Sequence, residues 1–234
     1  MTASERPSPN FDDRPADTPV DMLVVHYTGM ESAEAALARL CDVEARVSAH
    51  YVIDEDGTVT ALVAEGMRAW HAGEAYWRGG TDINGRSVGV ELVNPGHEFG
   101  YRDFPDPQMA ALEGLARDIL GRHPIEPRNV VGHSDVAPGR KTDPGELFDW
   151  QRLAAAGIGL WPGDVAGEGA GDAGLEIDDQ EVAGLLSAYG YDIADEAAAI
   201  AAFQCHFCPE SLNRRADADT AGRIKALLDL TAQK

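Results

Sequence analysis

Cysteine is scarce in this chain. Three residues of 234, Cys41, Cys205 and Cys208, cannot build the disulfide framework of a small secreted domain. Positive charge is scarce too: 19 Lys and Arg stand against 40 Asp and Glu, for a formal net charge of −21. That balance argues against a nucleic-acid partner, because phosphate binding needs clustered Lys and Arg. It also disfavours non-specific adhesion to anionic membranes. Any anionic ligand must be held by local positive charge or by a metal, against the overall field. No apolar run approaches the roughly 18 residues of a membrane-spanning helix, so no membrane insertion is expected. The opening Met1-Thr2-Ala3-Ser4-Glu5-Arg6-Pro7 has neither a basic start nor an apolar stretch of the secretory type. With the unpaired cysteines, this gives the expectation of a cytoplasmic location. No internal repeat marks a solenoid.

What is present is an ordinary globular composition, 44% hydrophobic and 25% charged. The length suits one sizeable domain with a small second one. Residues 1–19, rich in Pro, Asp and Ser, read as an extended arm. Val20 to Tyr27 reads as a buried strand, and Ser32 to Val47 as a helix. Asp54-Glu55-Asp56-Gly57 between two β-branched runs signals a hairpin, and Trp70 to Asn84 a long loop of the kind that is often functional. Ser87 to Val93 is a further strand. Asp106-Pro107 opens a helix with Asp106 as its N-cap and an apolar face of Met109, Leu112, Leu115, Ile119 and Leu120. Asn129 to Gly132 is a short strand, and Leu147 to Ala155 a short helix. Strands alternating with helices imply an α/β domain on a central sheet, over residues 20–160. A Gly/Ala/Asp/Glu stretch, 161–174, reads as a linker. In the remaining unit, 175–234, Asp178 to Tyr189, Asp195 to Phe207 and Asp217 to Leu230 carry helical spacing and make a small three-helix bundle.

Three segments carry chemistry. His26 ends the first strand, His133 follows the strand Asn129 to Gly132, and Asp143 lies in the Pro/Gly loop beyond. Two histidines at strand ends and one loop carboxylate form a three-ligand set of the kind that holds a catalytic Zn2+ and leaves its fourth position open. The other histidines read differently: His50 as structural, His97 and His123 as surface residues. The Cys205-His206-Phe207-Cys208 run reads as buried helix packing, since one Cys-x-x-Cys without a second pair is poor zinc evidence.

The run His133-Ser134-Asp135-Val136-Ala137-Pro138-Gly139-Arg140-Lys141-Thr142-Asp143-Pro144-Gly145 resembles the signature loop of the zinc-dependent N-acetylmuramoyl-L-alanine amidases, amidase type 2, in their AmpD/AmiD-like branch. The likeness spans Val20 to about Ala155. A weaker one, through Leu185 to Tyr191 and Ala201 to Phe207, ties the C-terminal unit to the peptidoglycan-binding domains of that branch. The resemblance implies a central mixed sheet flanked by helices and a C-terminal three-helix bundle. It implies zinc at His26, His133 and Asp143, with Glu91 as base or water-orienting carboxylate and Lys141 as the oxyanion's partner. Those roles agree with elementary chemistry: a carboxylate on a buried strand accepts a proton, and a cation near the ligands faces developing negative charge. It sets Trp70 and His71, with Asn94 and Arg140, beside the substrate groove. The implied activity is hydrolysis of the amide between (1,6-anhydro-)N-acetylmuramic acid and L-alanine of muropeptides in peptidoglycan recycling. The alternatives are a periplasmic amidase acting on intact peptidoglycan and a non-catalytic peptidoglycan-binding protein.

Overall fold

The computed structural model describes residues 3–163 and 178–232. Most of the linker expected over 161–174 therefore lies outside the described residues.

The alternation of side chains along the strands decides where everything else sits. Strands β1 (Ser4–Glu5), β3 (Met22–Tyr27), β4 (Tyr51–Ile53), β5 (Val59–Ala61), β7 (Ser87–Leu92) and β8 (Val130–Gly132) form one sheet in the order β1-β5-β4-β7-β3-β8. The sheet is mixed: β7 runs parallel to β4 and β3, and β3 parallel to β8, while β4 pairs antiparallel with β5. In β7, Val88, Val90 and Leu92 face one side and Ser87, Gly89 and Glu91 the other, because successive residues point to opposite faces. Leu23 and Val25 of β3 join the first set, over helix α4 (Asp106–Arg122) with its Met109, Leu112, Leu115 and Ile119. The opposite face carries Met22, Val24 and His26, and its apolar members belong to a second core.

That second core is shared with the C-terminal helices, here numbered α7 (Asp179–Tyr189), α8 (Glu196–Phe207) and α9 (Ala218–Ala232). Val182, Leu186, Phe203 and Phe207 pack in one cluster with Met22, Val24, Trp77 and Val136. The shorter helices are α1 (Ala33–Leu40), α2 (Ile83–Arg86), α3 (Gly96–Phe99), α5 (His133–Val136) and α6 (Trp150–Ala155).

The N-terminal segment is extended, and it is built into the domain. β1 pairs with β5, and β2 (Phe11–Asp13) pairs antiparallel with β6 (Met67–Ala69). It also explains why the first helix is half its expected length. Ser8 Oγ donates to the Leu40 carbonyl at 2.6 Å, and Asn10 Nδ2 donates to the carbonyls of Asp42 and Val47 at 2.8 Å each. Those carbonyls are satisfied from outside, so α1 stops at Leu40 and a single 3-10 turn, Val43–Ala45, follows. Two further boundaries differ. Pro105, not Asp106, occupies the N-cap of α4, and the Asp106 carboxylate instead meets Arg152 at 2.8 Å. Helix α6 begins only at Trp150, where Asp149 caps the Arg152 N–H at 2.9 Å.

Candidate metal centre and active site

The site forms on the second face of the sheet, at the C-terminal ends of β3, β7 and β8. His26 and Glu91 are register partners on neighbouring strands. His133 leaves the sheet one residue after β8, as the first residue of α5. Asp143 comes in from the loop beyond. Gly132 permits this approach: a Cβ there would stand 2.7 Å from Pro144 Cδ. The Ser134 N–H donates to the Asp143 carbonyl at 2.9 Å, tying the two ligand segments together.

All three side chains are buried, and their donor atoms converge. His26 Nδ1 and His133 Nδ1 are 2.9 Å apart, and each is 3.0 Å from Asp143 Oδ2. A tetrahedral zinc with bonds of about 2.0–2.1 Å needs ligand atoms roughly 3.3 Å apart, so the triangle is close to the required size. The outer hydrogen bonds point the same way. His133 Nε2 donates to the Ala72 carbonyl at 3.0 Å. His26 Nε2 meets His71 Nδ1 at 3.0 Å, and His71 Nε2 meets Ser87 Oγ at 3.1 Å, while that hydroxyl donates to the Ile83 carbonyl at 2.6 Å. Read outward from the centre, each N–H or O–H has an acceptor, which leaves both Nδ1 lone pairs and a carboxylate oxygen facing one point. Three acceptors converging in a buried place would suit a cation held between them.

The electrostatics agree. Burial, followed by the neighbouring His133, lowers His26 to about 4. Burial, followed by His26, His50 and His133, holds His71 well below its ordinary value. Burial alone would raise the Asp143 carboxyl, but His133 and His26 pull it well below the usual carboxylate range. His26 is therefore held neutral and Asp143 ionised, the protonation that a metal requires of an imidazole and a carboxylate.

Glu91 differs. Its Oε2 is enclosed and has no hydrogen-bond partner among the described residues. Burial, reinforced by the Asp143 carboxylate, raises its pKa well above the ordinary value, with Lys141 acting in the opposite sense. A carboxylate held this way is a stronger base than one in water. Lys141 is exposed and lines the same groove as Glu91, His133 and Asp143. That groove, of about 360 Å³, also touches Trp70, His71 and Arg140.

The expected groove residues separate at this point. Trp70 is on the wall, its Nε1 donating to Asp12 Oδ1 at 3.1 Å. Arg140 is on the rim, with Nη2 donating to the carbonyls of Ala72 at 2.6 Å and Glu74 at 2.5 Å. His71 is buried behind His26, and both of its ring nitrogens are occupied as described above. Its polar atoms support the ligand and are not free to meet a substrate. Asn94 is a correction. It is 1% exposed, its Nδ2 donates to the Arg102 carbonyl at 2.7 Å, and its Oδ1 accepts from Gly96 N–H at 3.0 Å. That amide shapes the turn after β7 and does not face the groove.

His50 is structural: Gly89 N–H donates to its Nδ1 at 3.0 Å, and its Nε2 faces the Met67 carbonyl at 3.2 Å. Cys205 and Cys208 are free thiols that burial pushes up to about 12, which keeps them protonated. Sequence reasoning missed Asp12 behind Trp70 and Ser87 behind His71. It also missed the lashing of the ligand loop to β3, where the Tyr27 hydroxyl meets Thr142 Oγ1 and His97 Nδ1 at 3.0 Å each. In Ser87 a signal was available, since the alternation of β7 puts it on the same face as Glu91. The other contacts join distant segments and leave no local trace.

A mixed sheet with a candidate His-His-Asp metal triangle, a base-strengthened carboxylate and a lysine on one groove fits the class of hydrolases. Comparison with known proteins narrows the class. The profile of the Amidase_2 family, N-acetylmuramoyl-L-alanine amidase, matches residues 16–146, and the chain belongs to that family. It is 40% identical over 236 residues to the N-acetylmuramoyl-L-alanine amidase AmiD of Escherichia coli (strain K12), covering 92% of this chain and 84% of that protein. It is 36% identical over 172 residues to the 1,6-anhydro-N-acetylmuramyl-L-alanine amidase AmpD of Salmonella typhimurium (strain SL1344), covering 66% of this chain and 90% of that one. Among solved structures, E. coli AmiD in complex with the substrate anhydro-N-acetylmuramic acid-L-Ala-D-gamma-Glu-L-Lys superimposes with a TM-score of 0.81 at 36% identity, over 96% of this chain and 99% of that one. AmpDh3 from Pseudomonas aeruginosa in complex with anhydromuramic pentapeptide gives a TM-score of 0.82 at 34% identity, over 93% of this chain and 95% of that one.

Proposed function

We propose that the chain is a zinc-dependent N-acetylmuramoyl-L-alanine amidase that hydrolyses the amide between (1,6-anhydro-)N-acetylmuramic acid and L-alanine of muropeptides during peptidoglycan recycling. One observation carries the reading: the lone pairs of His26, His133 and Asp143 converge at the floor of a groove that also holds Glu91 and Lys141. Zinc, when bound there, makes a water acidic enough to lose a proton near neutral pH and polarises a carbonyl. The protein's own groups do the rest. Glu91, its basicity raised by burial and by Asp143, orients the attacking water and takes its proton. Lys141 presents a fixed positive charge to the oxyanion that develops at the amide carbon. The proton held on Glu91 then passes to the departing L-alanine amine. Trp70 and Arg140 form the wall and rim along which the muropeptide lies.

The decisive experiment incubates pure protein and zinc with anhydromuropeptide and with its reducing counterpart, and analyses products by mass. Release of free stem peptide is expected. Intact substrate in the presence of loaded zinc would refute catalysis and favour a binding protein. A cytoplasmic location fits three unpaired thiols, two of them shielded by burial. Among the described residues no helix is long and apolar enough to cross a membrane. Recovery of the native protein from the periplasmic fraction would overturn that location and leave the chemistry standing.

A further inference from the structure

Asp135 lies two residues beyond the ligand His133 and is 0% exposed. A carboxylate in such a place requires donors, because an unpaired buried charge is costly. One donor is local: the Gly132 N–H reaches Oδ2 at 2.7 Å. The other two come from the C-terminal unit. His206 Nδ1, in α8, donates to Oδ2 at 2.7 Å, and the Tyr191 hydroxyl, just after α7, donates to Oδ1 at 2.6 Å. Hydrogen bonds to a charged acceptor are about twice as strong as neutral ones.

Neither donor can easily move. The His206 ring is stacked on Trp150 at 3.8 Å and on Phe207 at 3.7 Å. Tyr191 stands edge-on to Trp77 at 5.1 Å and to Phe203 at 6.0 Å. The carboxylate they hold in turn pins Gly132, the hinge at which His133 leaves β8. Next to it, Ser134 N–H holds the Asp143 backbone. Two of the three ligands thus hang from one turn, and the charge that fixes the turn is satisfied from the C-terminal unit.

We infer that His206 and Tyr191 are positioning residues of the metal centre, so that the C-terminal helical unit serves as a brace that sets the metal affinity of the catalytic unit. The inference rests on the reading of His26, His133 and Asp143 as a zinc site. It also accounts for the aromatic side chains of this unit. Tyr189, Tyr191, Phe203 and Phe207 are all buried against the joint, so none of them offers an open face on which a sugar ring could stack.

The test uses the full chain and its variants His206→Ala, His206→Asn and Tyr191→Phe. Zinc affinity is measured by competition with a chromogenic chelator, and melting temperature with and without zinc. His206→Ala is expected to bind zinc about tenfold more weakly, the lower end of the usual effect of losing an outer partner of a metal ligand. The rise in melting temperature on adding zinc should shrink accordingly. His206→Asn, whose Nδ2 can donate in place of the ring N–H, should recover most of the affinity. Tyr191→Phe removes one hydroxyl without changing the ring, and carries the same comparison should His206→Ala fail to fold. A purely structural joint would lower the melting temperature of both forms equally at unchanged zinc affinity, and that result overturns the inference while leaving the metal site intact. Failure of the unmodified protein to bind zinc at all, or binding that survives His26→Ala, overturns the metal reading and this inference with it.

Discussion

Replacing Gly89 by alanine adds one methyl group to the middle of β7, on the face that carries Glu91. The backbone there tolerates any side chain, so the effect is one of space alone. The new Cβ would lie 2.5 Å from His71 Cγ, 2.6 Å from Cδ2 and 2.7 Å from Nδ1. Ordinary carbon contacts are about 3.5–4.0 Å, so the ring must retreat by roughly 1 Å. It has nowhere to go. Its nitrogens are bonded to His26 and Ser87 at 3.0 and 3.1 Å, and the N–H groups of His71 and Ala72 are held by Asn84 Oδ1 at 3.0 and 2.8 Å. A shift of that size stretches the ring's bonds past the useful limit of about 3.5 Å. Overpacking, with one or two hydrogen bonds lost, costs about 2–4 kcal/mol. Because His71 orients His26, zinc affinity should also fall, by about 10–100-fold. Urea unfolding of the metal-free variant reads the first effect, and chelator competition the second. If Gly89→Ala has native stability and native zinc affinity, His71 does not support the ligand and the packing argument is wrong.

Glu91→Gln and Lys141→Ala should each cut turnover by about a hundredfold or more while retaining zinc, and near-native turnover in either would remove that residue from the mechanism. Asp12→Ala frees the Trp70 indole, so KM for muropeptide should rise with kcat little changed; a fall in kcat alone would show that the wall has another role. Burial, then the charge of Arg14, lowers His50 from 6.5 to about 4. A depressed imidazole contributes stability that is present above pH 6.5 and is lost as pH falls from there toward 4, by up to about 3 kcal/mol in all. The metal-free protein should therefore lose stability over that window, and His50→Gln should flatten the slope. An unchanged slope in that variant would assign the acid sensitivity to other groups.

Much of this protein can be read directly from its chain. The alternation of Ser87 to Leu92, the hairpin around Asp54 to Gly57 and the three C-terminal helical periods are local patterns, and each appears in the structure close to its expected bounds. The ligand residues were legible for a similar reason, since two strand ends and one Pro/Gly loop mark them. Where the first helix departs from its expected bounds, a distant segment intervenes. The first helix stops early because Ser8 and Asn10 take up its outgoing carbonyls. Asn94 differs in kind, because its amide is taken up within its own loop by Arg102 and Gly96.

By itself, then, the sequence determined the alternation of strands and helices around a central sheet, and it singled out His26, His133 and Asp143 as a candidate ligand set. Those follow from short-range patterns of residue type and spacing, whereas the expected roles of Glu91 and Lys141 come from the resemblance of the His133 to Gly145 run to the amidase signature loop. Only the tertiary structure decided which way each imidazole points, which carboxyl loses its partners, and that Asp135 depends on His206 and Tyr191. Such facts come from groups 56 or 71 residues apart that meet in a water-free interior. There, the geometry of the last few hydrogen bonds fixes the charge and direction of every polar atom, and no local pattern encodes it.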